Sequence, residues 1–148
     1  MNEPFPASPC YCTNLRQAAR AVSALYDETL EPLGLRVTQY SLIAHVMRME
    51  PVTFKDLSKA TRLERTTLVR NIELLRKRDL ITEAPEPAGK AELLCLTEKG
   101  RNALDQGFPL WQKAQAAVKA LLGPDEAATL KRLLRKLQTA TESTETHP

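Results

Sequence analysis

The chain of 148 residues is 43% hydrophobic and carries a formal net charge of +3, from 21 Lys plus Arg against 18 Asp plus Glu. It is long enough to bury one core but short for most enzymes, and no apolar run approaches the roughly 18 to 20 residues that span a bilayer, so a soluble protein without membrane contact is expected. The opening stretch MNEPFPASP lacks the basic and apolar regions of a secretion signal, and three cysteines (Cys10, Cys12, Cys95) cannot all pair within one chain, so the expected setting is the cytoplasm, with free thiols.

From Leu15 onward, Leu15, Ala18, Ala19, Val22, Leu25, Tyr26, Leu30 and Leu33 recur at three-and-four spacing, which predicts an amphipathic helix closed by Pro32 and Gly34. Thr38 is the expected N-cap of a second helix striped by Leu42, Ile43, Val46 and Met47 and stopped by Pro51. Val52–Thr53 reads as a short extended link. Thr53, three residues before Asp56, then opens a helix of about two turns around Leu57 and Ala60. After the turn Thr61–Leu63 a further helix runs from about Glu64 to Lys77. Leu80–Thr82 and Leu93–Leu96 read as the strands of a hairpin whose loop holds Pro85, Pro87 and Gly89. Thr97 caps a long helix carrying Leu104, Phe108, Trp111, Val118 and Leu122, expected to bend at Gly107 and Pro109. Pro124 opens a last helix striped by Leu130, Leu133, Leu134 and Leu137, and the polar stretch after Gln138 reads as a disordered tail.

This order predicts a mainly α protein with a small β-hairpin wing: a winged helix-turn-helix lobe at 38–100, flanked by a dimerisation helix at 12–37 and C-terminal dimerisation helices at 101–138. Residues 1–11 are expected to be flexible and 139–148 disordered. The stripes containing Leu15 and Val22, and Leu130 to Leu137, would leave large apolar patches in water on a monomer, so a twofold homodimer is expected.

Charge distribution says more than its total. Between Lys55 and Arg78 eight basic residues face three acidic ones, a surplus of five that leaves the rest of the chain at minus two. Such a segment is the footprint of a nucleic-acid binder, although a basic run is also commonly a solvated helix face. On the helix from Glu64, Leu68, Ile72 and Leu75 share one face, whereas Thr66, Arg70, Glu73 and Lys77 share the other, flanked by Arg65 and Thr67. Arg65, Thr66, Thr67, Arg70 and Asn71 suit the major groove, because Arg can bridge guanine O6 and N7 and Asn can bridge adenine N6 and N7. Asn71 lies nearer the core face and can equally hydrogen-bond inside the fold. Arg76, Lys77 and Arg78 suit phosphates.

DLSKATRLERTTLVRNIELLRKRDLI (Asp56 to Ile81) resembles the recognition-helix region of the multiple antibiotic resistance regulator (MarR) family, and LTEKG (Leu96 to Gly100) is similar to that family's exit from the wing. The resemblance extends from about Cys12 to Leu137. It implies a homodimer knitted by first and last helices, which represses genes from palindromic double-stranded operators and releases them when a small ligand or an oxidant acts. One departure concerns the wing, where the family commonly carries an Asp-x-Arg pair; the matching stretch PEPAGKAEL offers Ala88 and Lys90, so Lys90 lacks its orienting carboxylate and a weak grip on DNA is expected.

The resemblance also bears on the signal. Phenolic and aromatic acids commonly bind in this family where the first helix and the arms meet the DNA-binding lobe, and Tyr11, Tyr26 and Tyr40 would offer polar aromatic edges there; packing with satisfied hydroxyls is the alternative. In the organic hydroperoxide branch a reactive cysteine near the start of helix one precedes a Gln-Tyr pair by 27 positions, as Cys12 precedes Gln39–Tyr40. Tyr26 matches a position whose hydroxyl reaches the partner's thiolate in that branch, and Arg16 replaces the other tyrosine, where its charge would lower the thiol pKa. Cys10 would resolve a sulfenate across the dimer, unless both thiols are inert. Cys95 reads as a packing residue.

Enzymatic signatures are absent from the sequence. His45 and His147 have no partner at metal-ligand spacing, no phosphate loop or nucleophile elbow occurs, and neither metal nor cofactor is expected. Phe108 and Trp111 read as core. The rival to DNA binding is a winged-helix module whose basic helix meets an acidic protein partner.

Overall fold

The computed structural model describes residues 8–85, 89 and 91–142. The chain divides into two compact units, one ending at Trp111 and the other starting at Gln112.

In the first unit, α1 (Tyr11–Leu30) passes directly into a 3-10 turn (Glu31–Leu33). Gly34 closes that turn at φ 62°, a left-handed conformation that costs glycine little, and its N–H donates to the Glu31 carbonyl at 2.7 Å. The second helix, α2 (Val37–Met49), starts before the cap expected at Thr38. Asp27 Oδ1 accepts the Val37 N–H at 2.7 Å and Gln39 Oε1 accepts the Arg36 N–H at 3.1 Å. Orphan donors at the helix start are thus satisfied by a carboxylate from α1 and by a glutamine in the first turn.

The link expected at Val52–Thr53 is a strand, β1, and the hairpin is therefore part of a three-stranded sheet. The other strands are β2 (Ile81–Glu83), one residue later than expected, and β3 (Leu93–Leu96). The antiparallel order is β1-β3-β2, with Val52 opposite Leu94 and Ile81 opposite Leu96. Between β1 and β2 stand α3 (Phe54–Thr61) and α4 (Arg65–Lys77). Thr53 caps α3 as its spacing predicts: its hydroxyl accepts the Asp56 N–H at 3.1 Å and donates to Asp56 Oδ2 at 3.0 Å.

One core unites these elements. Leu30, Leu42, Ile43, Val46, Leu57, Leu68, Leu75, Ile81 and Leu94 are fully buried. Glu50 fastens the end of α2 to the sheet and to the next helix, α5 (Glu98–Leu122): Oε2 accepts the Leu96 N–H at 2.8 Å, and Oε1 pairs with Arg101.

Helix α5 is continuous across Gly107 and Pro109 and carries the chain into the second unit. There α6 (Pro124–Glu142) begins with proline at its first position. Leu130, Leu133, Leu134 and Leu137 are between 36% and 49% exposed in this single chain. Helix α6 continues to Glu142, so residues 139–142, expected to be disordered, are helical, and the rest of the expected tail lies outside the described residues. No Gly or Pro interrupts residues 125–147, and Thr139 returns its hydroxyl to the carbonyls of Arg135 and Lys136 at 3.1 and 3.2 Å. Among the described residues no helix is long and apolar enough to cross a membrane.

Candidate nucleic-acid interface

Helices α3 and α4 meet at a tight turn set by Arg62, whose φ of 54° ends α3. Leu68, Ile72 and Leu75 are buried, so helical geometry presents the other side of α4 to solvent. Arg65, Thr66, Thr67, Arg70, Glu73 and Lys77 are all exposed. A polar ridge carrying three cations thus stands on a helix with its opposite face held in the core.

The remaining sequence candidates divide differently. Asn71 is half-buried and its Nδ2 donates to the Thr67 carbonyl at 2.8 Å, the bond within the fold that its position allowed. Arg76 pairs with Glu92 at the base of the wing. Arg78, expected to meet phosphate, is turned inward: Nη1 donates to the Gly34 carbonyl at 2.6 Å and Nη2 to the Leu33 carbonyl at 2.9 Å. Nothing in a run of three basic residues distinguishes these fates, because the partners lie on remote segments. Lys90 and Ala88 lie outside the described residues.

A cavity of about 450 Å³ opens between α2 and the first half of α5, lined by residues including Tyr40, Met47, Arg48, Asp105, Phe108 and Trp111. Phe108 and Trp111, expected in the core, stack at this cavity with ring centroids 5.9 Å apart and 18° between planes; Phe108 is 51% exposed, whereas Trp111 is partly buried and packs against the core. Helical spacing places them on one side of α5 but cannot say whether that side meets core or a hollow. Tyr40 is buried, and its hydroxyl donates to the Leu104 carbonyl at 3.1 Å. Burial, with the Asp105 charge adding to it, raises its pKa. Tyr26 is buried too, and desolvation raises its pKa, whereas Tyr11 is 87% exposed.

Cys10 and Cys12 are exposed at the start of α1, with Arg16 exposed one turn on. Cys10 occupies the N-cap position, and hydrogen bonds from the side chain and then the backbone of Thr13 lower its pKa. Cys95 is half-buried in β3; its pKa is raised by burial and by the Glu50 charge, against the opposing pull of Arg101. His45 directs Nδ1 to the Ser41 carbonyl at 2.8 Å, and among the described residues no group of three or more His, Cys, Asp or Glu is placed to hold a metal.

Known proteins share this fold. Residues 33–91 match the model of the MarR family. The chain is 36% identical to the Mycobacterium tuberculosis transcriptional regulator MosR, spanning 93% of this chain and 99% of that one at a TM-score of 0.80. It also resembles a mutant MarR from E. coli complexed with operator DNA, at 25% identity over 84% of this chain and 91% of that one, TM-score 0.76. A curated relative, the transcriptional repressor NicR of Pseudomonas putida, is 24% identical over 137 residues, 92% of this chain and 87% of its own length.

Proposed function

This chain belongs to the MarR family of DNA-binding transcription regulators, and we propose that it acts as a homodimeric repressor that reads a pseudo-palindromic operator with α4. The observation that carries this reading is the exposed ridge of Arg65, Thr66, Thr67, Arg70 and Lys77 on a helix fixed by Leu68, Ile72 and Leu75. Arg65 and Arg70 read base edges, Thr66 and Thr67 support them, and Lys77 grips phosphate. Asn71 and Arg76 contribute after leaving their present partners, and Lys90 adds a wing contact. Repression is favoured by the likeness to NicR, which is named a repressor.

Dimerisation is supported by the exposed apolar residues Leu15 and Val22 of α1 and Leu130, Leu133, Leu134 and Leu137 of α6. A twofold dimer requires half-sites about 10 bp apart, centre to centre.

The cavity supports release by a small aromatic acid. Its ring would lie against the Phe108–Trp111 pair and its carboxylate would meet Arg48, the basic residue of the lining. Oxidation is the second reading, favoured by two exposed thiols at the start of α1.

Selection of duplex fragments by the purified protein, followed by salt titration, tests the function. A symmetric operator bound with a steep log-log salt slope is expected. Failure to retain any duplex, with retention of an acidic protein instead, would establish the interaction-module alternative.

A further inference from the structure

We propose that Arg78 is the positioning residue that sets the angle of the reading helix against the α1 arm, a role that rests on α4 being the DNA reader. Its guanidinium fork spans two successive carbonyls, Leu33 and Gly34, 45 and 44 residues earlier in the chain. These lie at the end of the 3-10 turn that continues α1, where backbone acceptors are otherwise left without helical partners. Gly34, at φ 62°, belongs to the same clamp: a β-carbon there would stand 3.5 Å from Arg78 Nη2.

The clamp has two further members. Lys99 Nζ donates to the Arg78 carbonyl at 2.9 Å, and Thr97 Oγ1 donates to the Asp79 carbonyl at 2.6 Å, with Asp79 itself held at φ 58°. Three segments, 33–34, 78–79 and 97–99, therefore converge on the C-terminal end of α4. At the other end Glu64 makes no side-chain cap. The helix is held along one face by Leu68, Ile72 and Leu75 and pinned at its C-terminal end by the clamp, and Arg65 and Thr66 are exposed at the uncapped N-terminal end.

Leverage makes the anchor matter. Twelve residue steps separate Arg65 from Lys77, about 18 Å at 1.5 Å per residue. A tilt of about 10° at the anchor displaces the reading end by about 3 Å, close to the roughly 3.4 Å rise of one base-pair step. An unclamped helix would still meet phosphates but would no longer hold one register on base edges, nor one spacing between two half-sites. Arginine suits the task because its planar fork directs two parallel donors, whereas a lysine ammonium is a point charge on a flexible stem.

The experiment compares wild type, Arg78→Ala and Arg78→Lys on operator, on random duplex and on operators whose half-sites are moved apart or together one base pair at a time. Thermal melting is recorded for each protein. For both variants, operator affinity is expected to fall at least tenfold, random-duplex affinity and salt slope to stay within twofold, and the spacing preference to flatten. Equal losses on operator and random duplex with a reduced salt slope would make Arg78 a phosphate contact and overturn the proposal. Wild-type operator affinity and a sharp spacing optimum in Arg78→Lys would overturn it equally, including the case where Arg78→Ala fails to fold. Lack of operator preference in the wild type itself would overturn the reading of α4, a result distinguishable because it appears before any substitution.

Discussion

A β-carbon on Gly100 would overlap the carbonyl oxygen of Leu80, so the first turn of α5 lies directly on the backbone that leads from α4 into the wing. This contact explains why the LTEKG stretch has its form. Leu96 is buried at the end of β3, Thr97 accepts the Gly100 N–H at 2.9 Å, and a residue without a side chain must follow in that first turn. Gly100→Ala forces either the Leu80 backbone or α5 aside, and overpacking of this kind costs about 1–3 kcal/mol. The denaturation midpoint in urea is expected to fall by the corresponding amount with an unchanged m-value, and a variant of wild-type stability would contradict the contact.

On the proposed reading of α4, base reading and phosphate gripping fall to different residues. Arg65→Ala and Arg70→Ala are expected to lose about 1–3 kcal/mol on the operator and to relax base preference, whereas Lys77→Ala weakens all duplexes alike and lowers the salt slope by about one. Titrations on operator and random DNA at several salt concentrations provide the measurement. Identical behaviour of all three variants on both duplexes would refute the division of roles.

Arg76, a proposed phosphate contact, is paired with Glu92. The pair lies at the surface, where an ion pair contributes little to stability, so its interest is electrostatic: a phosphate that recruits Arg76 must first displace a carboxylate. Glu92→Gln is expected to raise affinity for every duplex and to steepen the salt slope by up to about 0.9, one more counterion released, with little change in melting temperature. A slope equal to that of wild type would mean that Arg76 stays off the DNA.

What the sequence could reveal divides along a physical line. Leu68, Ile72 and Leu75, the Thr53 and Thr97 caps and the α4 ridge were legible because each follows from spacing within a few residues. Asp27 as the partner of the Val37 N–H was not, nor were β1 as a strand beside β3 and Arg78 as a clamp on Leu33 and Gly34, because each needs a partner brought near only by folding. Gly107 illustrates a third case. In sequence it marks a place where the long helix would bend; in the structure it admits the Tyr40 ring against α5. Local chemistry gave the motif correctly, and its meaning came from a contact 67 positions away in sequence.

The thiols should separate by site in both labelling and regulation. Alkylation follows the thiolate fraction and access. The pKa of exposed Cys10 is lowered by its bonds from Thr13, so its labelling begins at a lower pH than for an ordinary thiol; that of half-buried Cys95 is raised by burial and by Glu50, so its labelling is delayed to higher pH. At neutral pH Cys10 is therefore expected to label well before Cys95, as mass spectrometry of timed quenches would show. If an organic hydroperoxide releases the operator, Cys95→Ser should respond as wild type does, and Cys12→Ser should stay bound. Cys10→Ser decides how the oxidised state is held: retention of release would leave Cys12 acting alone, and its loss would make Cys10 the resolving thiol. Should wild type remain on its operator under peroxide while an aromatic acid removes it, and should Trp111→Ala abolish that removal, the signal enters through the cavity beside α5 and the thiols are bystanders.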